Sequence, residues 1–182
     1  MTTRRGLLAA MLVLAITACS GGSTGEILSD RNTDMDFRSY RAFRWFDGPF
    51  LPGDLAQLMP ANYHALREAV NAQLTRRGYE WLQFDKVQFV LHAHGAPAVP
   101  GAVEQWSALN WYKPWWGAYM GMTRVDRYAP GDLLIDIIDA RKPELAWRSI
   151  VLAFFNQDGS IRNPERMDED IARALADFPA RR

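Results

Sequence analysis

Cysteine is almost missing from this sequence: the single one, Cys19, closes an apolar leader. One thiol can neither form an internal disulfide nor build a cysteine-rich metal site, so the fold must rest on its hydrophobic core. At 182 residues the chain is long enough to bury such a core, and suits one domain better than two. A surplus of charge is missing as well, since 21 Lys and Arg balance 21 Asp and Glu. Without Arg4 and Arg5 of the leader, 19 basic residues face 21 acidic ones, a formal charge of −2. That removes the case for nucleic acid, which a binding domain meets with a concentrated basic surface. No apolar run reaches the ~20 residues that cross a bilayer as a helix; Leu7 to Ala18 has 12. P-loop and GxGxxG signatures are lacking, and Ser107, Ser149 and Ser160 have no catalytic signature beside them.

What is there begins with the leader. Arg4 and Arg5 form a positive start, Leu7 to Ala15 an apolar centre, and Ile16-Thr17-Ala18-Cys19 the end. This pattern is that of an export signal over residues 1–18. Its end resembles the bacterial lipobox, in which a small residue precedes the cysteine. The resemblance implies diacylglycerol on the Cys19 thiol, cleavage after Ala18 and acylation of the new amine. Each buried CH₂ adds about 0.8 kcal/mol, so several acyl chains hold where one does not. Ser20 at the next position leans, by resemblance to lipoprotein sorting, towards the outer membrane, with the domain facing the periplasm. Residues 19–30, rich in Gly and Ser at their start, read as a flexible tether.

Residues 31–180 read as the folded domain. Asn32 to Phe46 is expected to hold two short strands bent at Arg38-Ser39, and Asp47 to Pro60 is a Gly- and Pro-rich loop. Tyr63, Leu66, Val70 and Leu74 share one helical face, which predicts a helix over Ala61 to Arg77 stopped by Gly78, with Tyr79 folding back on it. From Lys86 to His94, Val87, Phe89, Leu91 and Ala93 alternate with Lys86, Gln88, His92 and His94, a strand with one buried face. Asp132 to Ala140 and Glu144 to Phe155 form a hairpin; opposing Ala140 to Glu144 sets Ile137 against Trp147, Ile135 against Ser149, Leu133 against Val151 and Asp136 against Arg148. Asn163-Pro164 opens a last helix with the stripe Met167, Ile171, Ala174, Leu175 and Phe178. The expected fold is α+β: a single domain with a mainly antiparallel sheet and two helices on one face.

Residues 95–131 form an excursion rich in Gly, Pro and aromatic residues, among them Trp106, Trp111, Tyr112, Trp115, Trp116, Tyr119 and Tyr128. It is too long for an ordinary connection. Exposed, such rings stack on sugars, enter a membrane interface or dock a partner protein; the plainer reading is an irregular extension of the sheet whose rings pack on each other. His92 and His94 point to one face of their strand, as metal ligands do. A site needs three or four ligands, and His64 is the only other histidine, so neither a metal nor a cofactor is expected. Asp136 with Arg148 reads as a structural pair, and no catalytic residue is assigned. The enzymatic alternative is a carboxylate-based hydrolase of envelope polymers using Asp136 or Asp139, and a third reading is a metal carrier built on His92 and His94.

The order of signals resembles a known family. Asp36-Phe37-Arg38-Ser39-Tyr40-Arg41-Ala42-Phe43-Arg44-Trp45 precedes a helix ending in Leu74-Thr75-Arg76-Arg77-Gly78-Tyr79. Then Tyr128-Ala129-Pro130-Gly131-Asp132 leads through Asp139 to Leu145-Ala146-Trp147-Arg148, and a final helix closes at Phe178-Pro179. This is similar to the DUF4136 family of bacterial lipoproteins, with Ser149 where the family usually has Gly. The resemblance implies an envelope-anchored α+β domain and supplies no catalytic residues. The lipobox, the lack of catalytic motifs and the aromatic excursion lead to the expectation of a non-catalytic module that contacts an envelope protein or a glycan.

Overall fold

The computed structural model describes residues 25–46, 59–83, 86–95, 129–142 and 144–181. In chain order these form β1 (Ile27–Arg31), β2 (Ala42–Trp45), α1 (Pro60–Arg76), β3 (Glu80–Trp81), β4 (Phe89–Gly95), β5 (Leu133–Asp139), β6 (Glu144–Val151) and α2 (Met167–Ala174). The strands make one six-stranded sheet in the order β1-β6-β5-β4-β2-β3. β1, β6, β5 and β4 pair antiparallel, whereas β4 with β2 and β2 with β3 pair parallel. The sheet is therefore mixed, a correction to the mainly antiparallel one expected. The cause lies in α1: a helix that carries the chain back along the sheet makes the strand after it run parallel to the strand before it.

α1 ends as its sequence dictates. Gly78 takes φ +89°, the Tyr79 N–H donates to the Leu74 carbonyl at 3.1 Å, and the Gly78 N–H to that of Thr75 at 2.9 Å. Those two bonds satisfy carbonyls that the last turn leaves without partners, and Tyr79 drops into the core as the cap's apolar contact. The opening of α2 departs from expectation. Pro164–Arg166 is a 3-10 turn, and the Asn163 side chain does not cap it. The predicted stripe still faces inward, with Ile171, Ala174, Leu175 and Phe178 buried and Met167 packed beside them.

Two expectations at the start of the domain are corrected. β1 begins at Ile27, inside the stretch read as tether, because Ile27 and Leu28 lie opposite Val151 and Ile150 of β6. Residues 32–41 are not a strand: the Asp36 carboxylate accepts the Arg38 N–H at 3.2 Å and fixes the 3-10 turn Phe37–Ser39. In the hairpin, the expected pairings from Ile137 with Trp147 down to Leu133 with Val151 are all present. Between Ile137 and Ile138 the register shifts, so that Asp139 rather than Ala140 opposes Glu144. Ala146 is the extra residue of this bulge, which sends both Ala146 and Trp147 into the main core. β6 stops at Val151, short of Phe155, because the chain turns at Ala153 with φ +53°. The Asp132 carboxylate pins that turn, accepting the Ala153 N–H at 2.7 Å and the Ala129 N–H at 2.6 Å.

Both helices cover one face of the sheet. There Leu66, Val70 and Leu74 of α1 and Ile171 and Ala174 of α2 share a core with Phe43, Leu91, Ile135 and Trp147. Phe89 stacks on Tyr40 at 5.1 Å and Phe43 at 5.4 Å, and meets Tyr79 edge-on at 5.3 Å. Phe178 reaches from the far end of the chain to Phe89 and Trp147. β4 corrects the reading of one buried face, because all seven of its residues are buried. Val87 also differs from expectation: it packs with Val90, Ile138 and Leu145 on the second face.

Two glycines bear directly on this frame. Gly131 takes φ +94°, and a Cβ there would stand 2.9 Å from the Phe155 carbonyl oxygen; at Gly78 the nearest atom would be Arg181 Cβ, at 3.3 Å. Gly78→Ala is expected to cost about 1–2 kcal/mol of stability from the left-handed backbone alone, and Gly131→Ala clearly more, as measured by urea unfolding. Equal losses at the two positions would contradict the close approach at Gly131.

Candidate functional site

The second face of the sheet holds a buried polar row between two apolar patches. Val90, Ile138 and Leu145 form one patch and Leu134 and Ile150 the other. Strand alternation puts His92 and His94 of β4, Asp136 of β5 and Arg148 of β6 on this face, and the registers set His92 opposite Asp136 and Asp136 opposite Arg148. All four are 3% exposed or less. Asp136 and Arg148 meet as a fork, Nε to Oδ1 at 2.6 Å and Nη2 to Oδ2 at 2.6 Å. His94 Nε2 stands 3.4 Å from the same Oδ2. The two imidazoles lie nearly parallel, with centroids 4.7 Å apart, and Phe46 packs on His92 at 5.0 Å.

The electrostatics follow from burial and neighbours. Burial drives the Asp136 carboxyl up, but the Arg148 guanidinium and His94 outweigh it and hold Asp136 far below the usual carboxylate range. His92 is pushed down to about 3, first by burial and then by His94, with Arg148 adding to the effect and Asp136 opposing it. The pair is thus an anion and a cation in a dry place, next to a neutral imidazole. Such a pair fixes register rather than adding much net stability, since desolvation consumes most of the attraction.

Asp139 does different work. Its Oδ1 accepts the Arg141 N–H at 2.7 Å and the Lys142 N–H at 3.0 Å, while Oδ2 takes the Tyr40 hydroxyl at 3.0 Å and Arg141 Nη2 at 2.9 Å. Burial raises this carboxyl, and the Arg141 side chain with the two turn N–H groups pulls it lower, to about 2. Burial and the Asp139 charge push the Tyr40 phenol well above its ordinary value. Asp136 and Asp139, three apart on one strand, face opposite sides of the sheet. They do not meet across a pocket as a pair of hydrolytic carboxylates must.

Among the described residues no group of three or more His, Cys, Asp or Glu is placed to hold an ion, and His64 is exposed on α1. Cys19, Trp106, Trp111, Tyr112, Trp115, Trp116, Tyr119 and Tyr128 lie outside the described residues. Within the described residues no helix is long and apolar enough to cross a membrane. Ser149, also considered from sequence, faces the helix-covered core with its hydroxyl buried and without a hydrogen-bond partner among the described residues.

Among the described residues, two helices on a six-stranded α+β sheet with a buried ionic row define the class of molecule. Residues 27–180 match the model of the domain of unknown function DUF4136, and the chain belongs to that family. A DUF4136 family protein from Bacteroides thetaiotaomicron has a similar structure, with TM-score 0.55 and 11% identity over 85% of this chain and 96% of that one. A PDZ domain protein from Parabacteroides distasonis gives TM-score 0.51 and 13% identity, over 88% of this chain and 36% of that one. A PelC variant dodecamer from Paraburkholderia phytofirmans gives 0.46 and 12% identity, over 87% and 99%. At these identities the first two show a shared fold alone. No curated protein matches the chain.

Asp136→Asn removes the anion on which the buried Arg148 guanidinium forks; the expected cost is about 3–5 kcal/mol in urea unfolding. Replacing both, as Asp136→Leu with Arg148→Met, is expected to cost less than the single change. If the double variant is the less stable, the pair is not the buried unit described.

His92 makes stability depend on pH. The unfolded chain takes up a proton near pH 6.5 that the folded chain refuses until about 3. Stability is therefore complete above that window and lost as pH falls through it, by up to about 1.4 kcal/mol per pH unit. Urea midpoints measured from pH 7 to 4.5 are expected to fall in the native chain and to flatten in His92→Leu. Parallel curves would remove His92 from this role.

Proposed function

We propose that the chain is a lipoprotein of the bacterial envelope, held at the outer membrane by acyl chains on Cys19 and facing the periplasm. Its folded domain serves there as a non-catalytic binding or structural module for an envelope protein or glycan. The anchoring half rests on the leader, in which two arginines, a short apolar centre and a small residue precede the cysteine. The functional half is carried by one observation: the charged residues that invite chemistry are committed to one another. Asp136 is held by Arg148, and Asp139 by Tyr40 and the hairpin turn. The DUF4136 match is consistent with this reading and attaches no reaction to it.

Mass spectrometry of the protein from its native host is expected to find residues 1–18 missing and Cys19 carrying lipid. Cys19→Ala is expected to leave the uncleaved chain without acyl groups. A retained leader on the native chain, or an unmodified thiol, would overturn the anchor.

A further inference from the structure

At the end of the sheet opposite Gly95, three separate stretches enclose a cleft of about 920 Å³. This lies within the roughly 300–1,000 Å³ of small-molecule sites. Arg31 enters from the end of β1, Arg38 and Arg41 from the 3-10 turn and its exit, and Arg181 from the tail after α2. Among the described residues Asp36 is the only carboxylate in the lining, where it faces four arginines. Asp36 is occupied in capping the turn. Among the described residues none of the four guanidinium groups is ion-paired. Arg41 donates to the Arg38 and Tyr40 carbonyls at 2.6 and 2.7 Å, and Arg181 to that of Gly78 at 3.3 Å. Those bonds fix two of the cations without neutralising them.

The walls are built rather than loose. Phe37 wedges against Tyr40 at 5.4 Å and Phe178 at 5.9 Å. The tail is tied down by the Arg181 N–H on the Arg77 carbonyl at 2.9 Å and by the Tyr79 hydroxyl on that of Pro179 at 2.7 Å. The collected charge reaches into the core: Tyr79, raised by burial, is pulled the other way by Arg77, Arg41 and Arg181. Four like charges held in one concavity repel each other, and an anion between them relieves that repulsion while accepting forked hydrogen bonds.

We propose that this cleft binds an oxyanion carrying two or more negative charges, through Arg31, Arg38, Arg41 and Arg181. The inference names a ligand for the binding-module reading and rests on it, but is independent of the lipid anchor. The shared chemistry is that of clustered carboxylates or phosphates, whether on a soluble molecule or on an anionic lipid headgroup.

Calorimetric titration of the full chain in neutral detergent, with citrate, pyrophosphate and acetate as probes, tests it. One saturable site for citrate or pyrophosphate is expected, with acetate at least about tenfold weaker. Arg31 and Arg38 are exposed and their side chains make no hydrogen bond among the described residues, so Arg31→Gln with Arg38→Gln is expected to keep the fold. The double variant should bind roughly 100-fold more weakly, about tenfold per lost charge-assisted contact, while Arg166→Gln on the distant 3-10 turn should not change affinity. Displacement of the probe by cardiolipin, whose headgroup carries two phosphates, added in the same detergent assigns the headgroup as the source, and failure of displacement assigns a soluble anion. No saturable site for either multivalent probe, or unchanged binding in the double variant with native circular dichroism, would overturn the proposal. Neither result would touch the acylation of Cys19, which mass spectrometry reads separately.

Discussion

The fork between Arg148 and Asp136 sits at the centre of a sheet buried on both faces, and the arrangement of the strands around it depends on that contact. In a buried sheet, sliding one strand by a single residue turns every side chain to the opposite face. Here a slip of β5 against β6 would carry Asp136 into the aromatic core and leave Arg148 beside Ile137. The cost of an unpaired buried charge makes that register inaccessible. His92 and His94 extend the row onto β4, so three neighbouring strands are aligned by polar groups rather than by apolar packing alone. The bulge at Ala146 comes after this row, where a shift no longer separates the charges.

The same contact explains what the sequence disclosed. Opposite charges and apolar partners coincide in the register read from the sequence, so the β5–β6 pairing from Ile137 with Trp147 to Leu133 with Val151 was legible without coordinates, while the bulge nearer the turn was not. α1 was legible too, since its apolar spacing and Gly78 are local signals. β3 was not: Glu80 and Trp81 are two exposed residues with no periodicity, and their strand exists only because α1 returns the chain alongside β2. The parallel half of the sheet was hidden for the same reason. β1 was concealed by its polar residues Ser29, Asp30 and Arg31, which are tolerated because, among the described strands, it lies at the edge of the sheet beside β6.

The candidate sites were legible in a similarly uneven way. The facing of Asp136 and Arg148 could be read from register, as could the common direction of His92 and His94. Their union into one row could not, because it needs the pairing of β4 with β5 across a separation of more than forty residues. Exposure was misjudged for β4, where alternation implied a wet face: His92 and Gln88 look alike in a sequence, yet His92 is 1% exposed. The arginine cleft had no sequence signature, since Arg31, Arg38, Arg41 and Arg181 are ordinary surface residues until the tail returns to the start of the domain.

That return has a consequence for assembly. Phe178 fills the core between Phe37, Tyr79, Phe89 and Trp147, and the tail behind it is tied to residues about a hundred positions earlier. Until Phe178 is in place, the hydrophobic interior has a hole where one of its central rings belongs. Closing contacts of such long sequence separation form late and slowly. A core of this design closes as one unit: the ring from the far end of the domain and the sheet it plugs depend on each other.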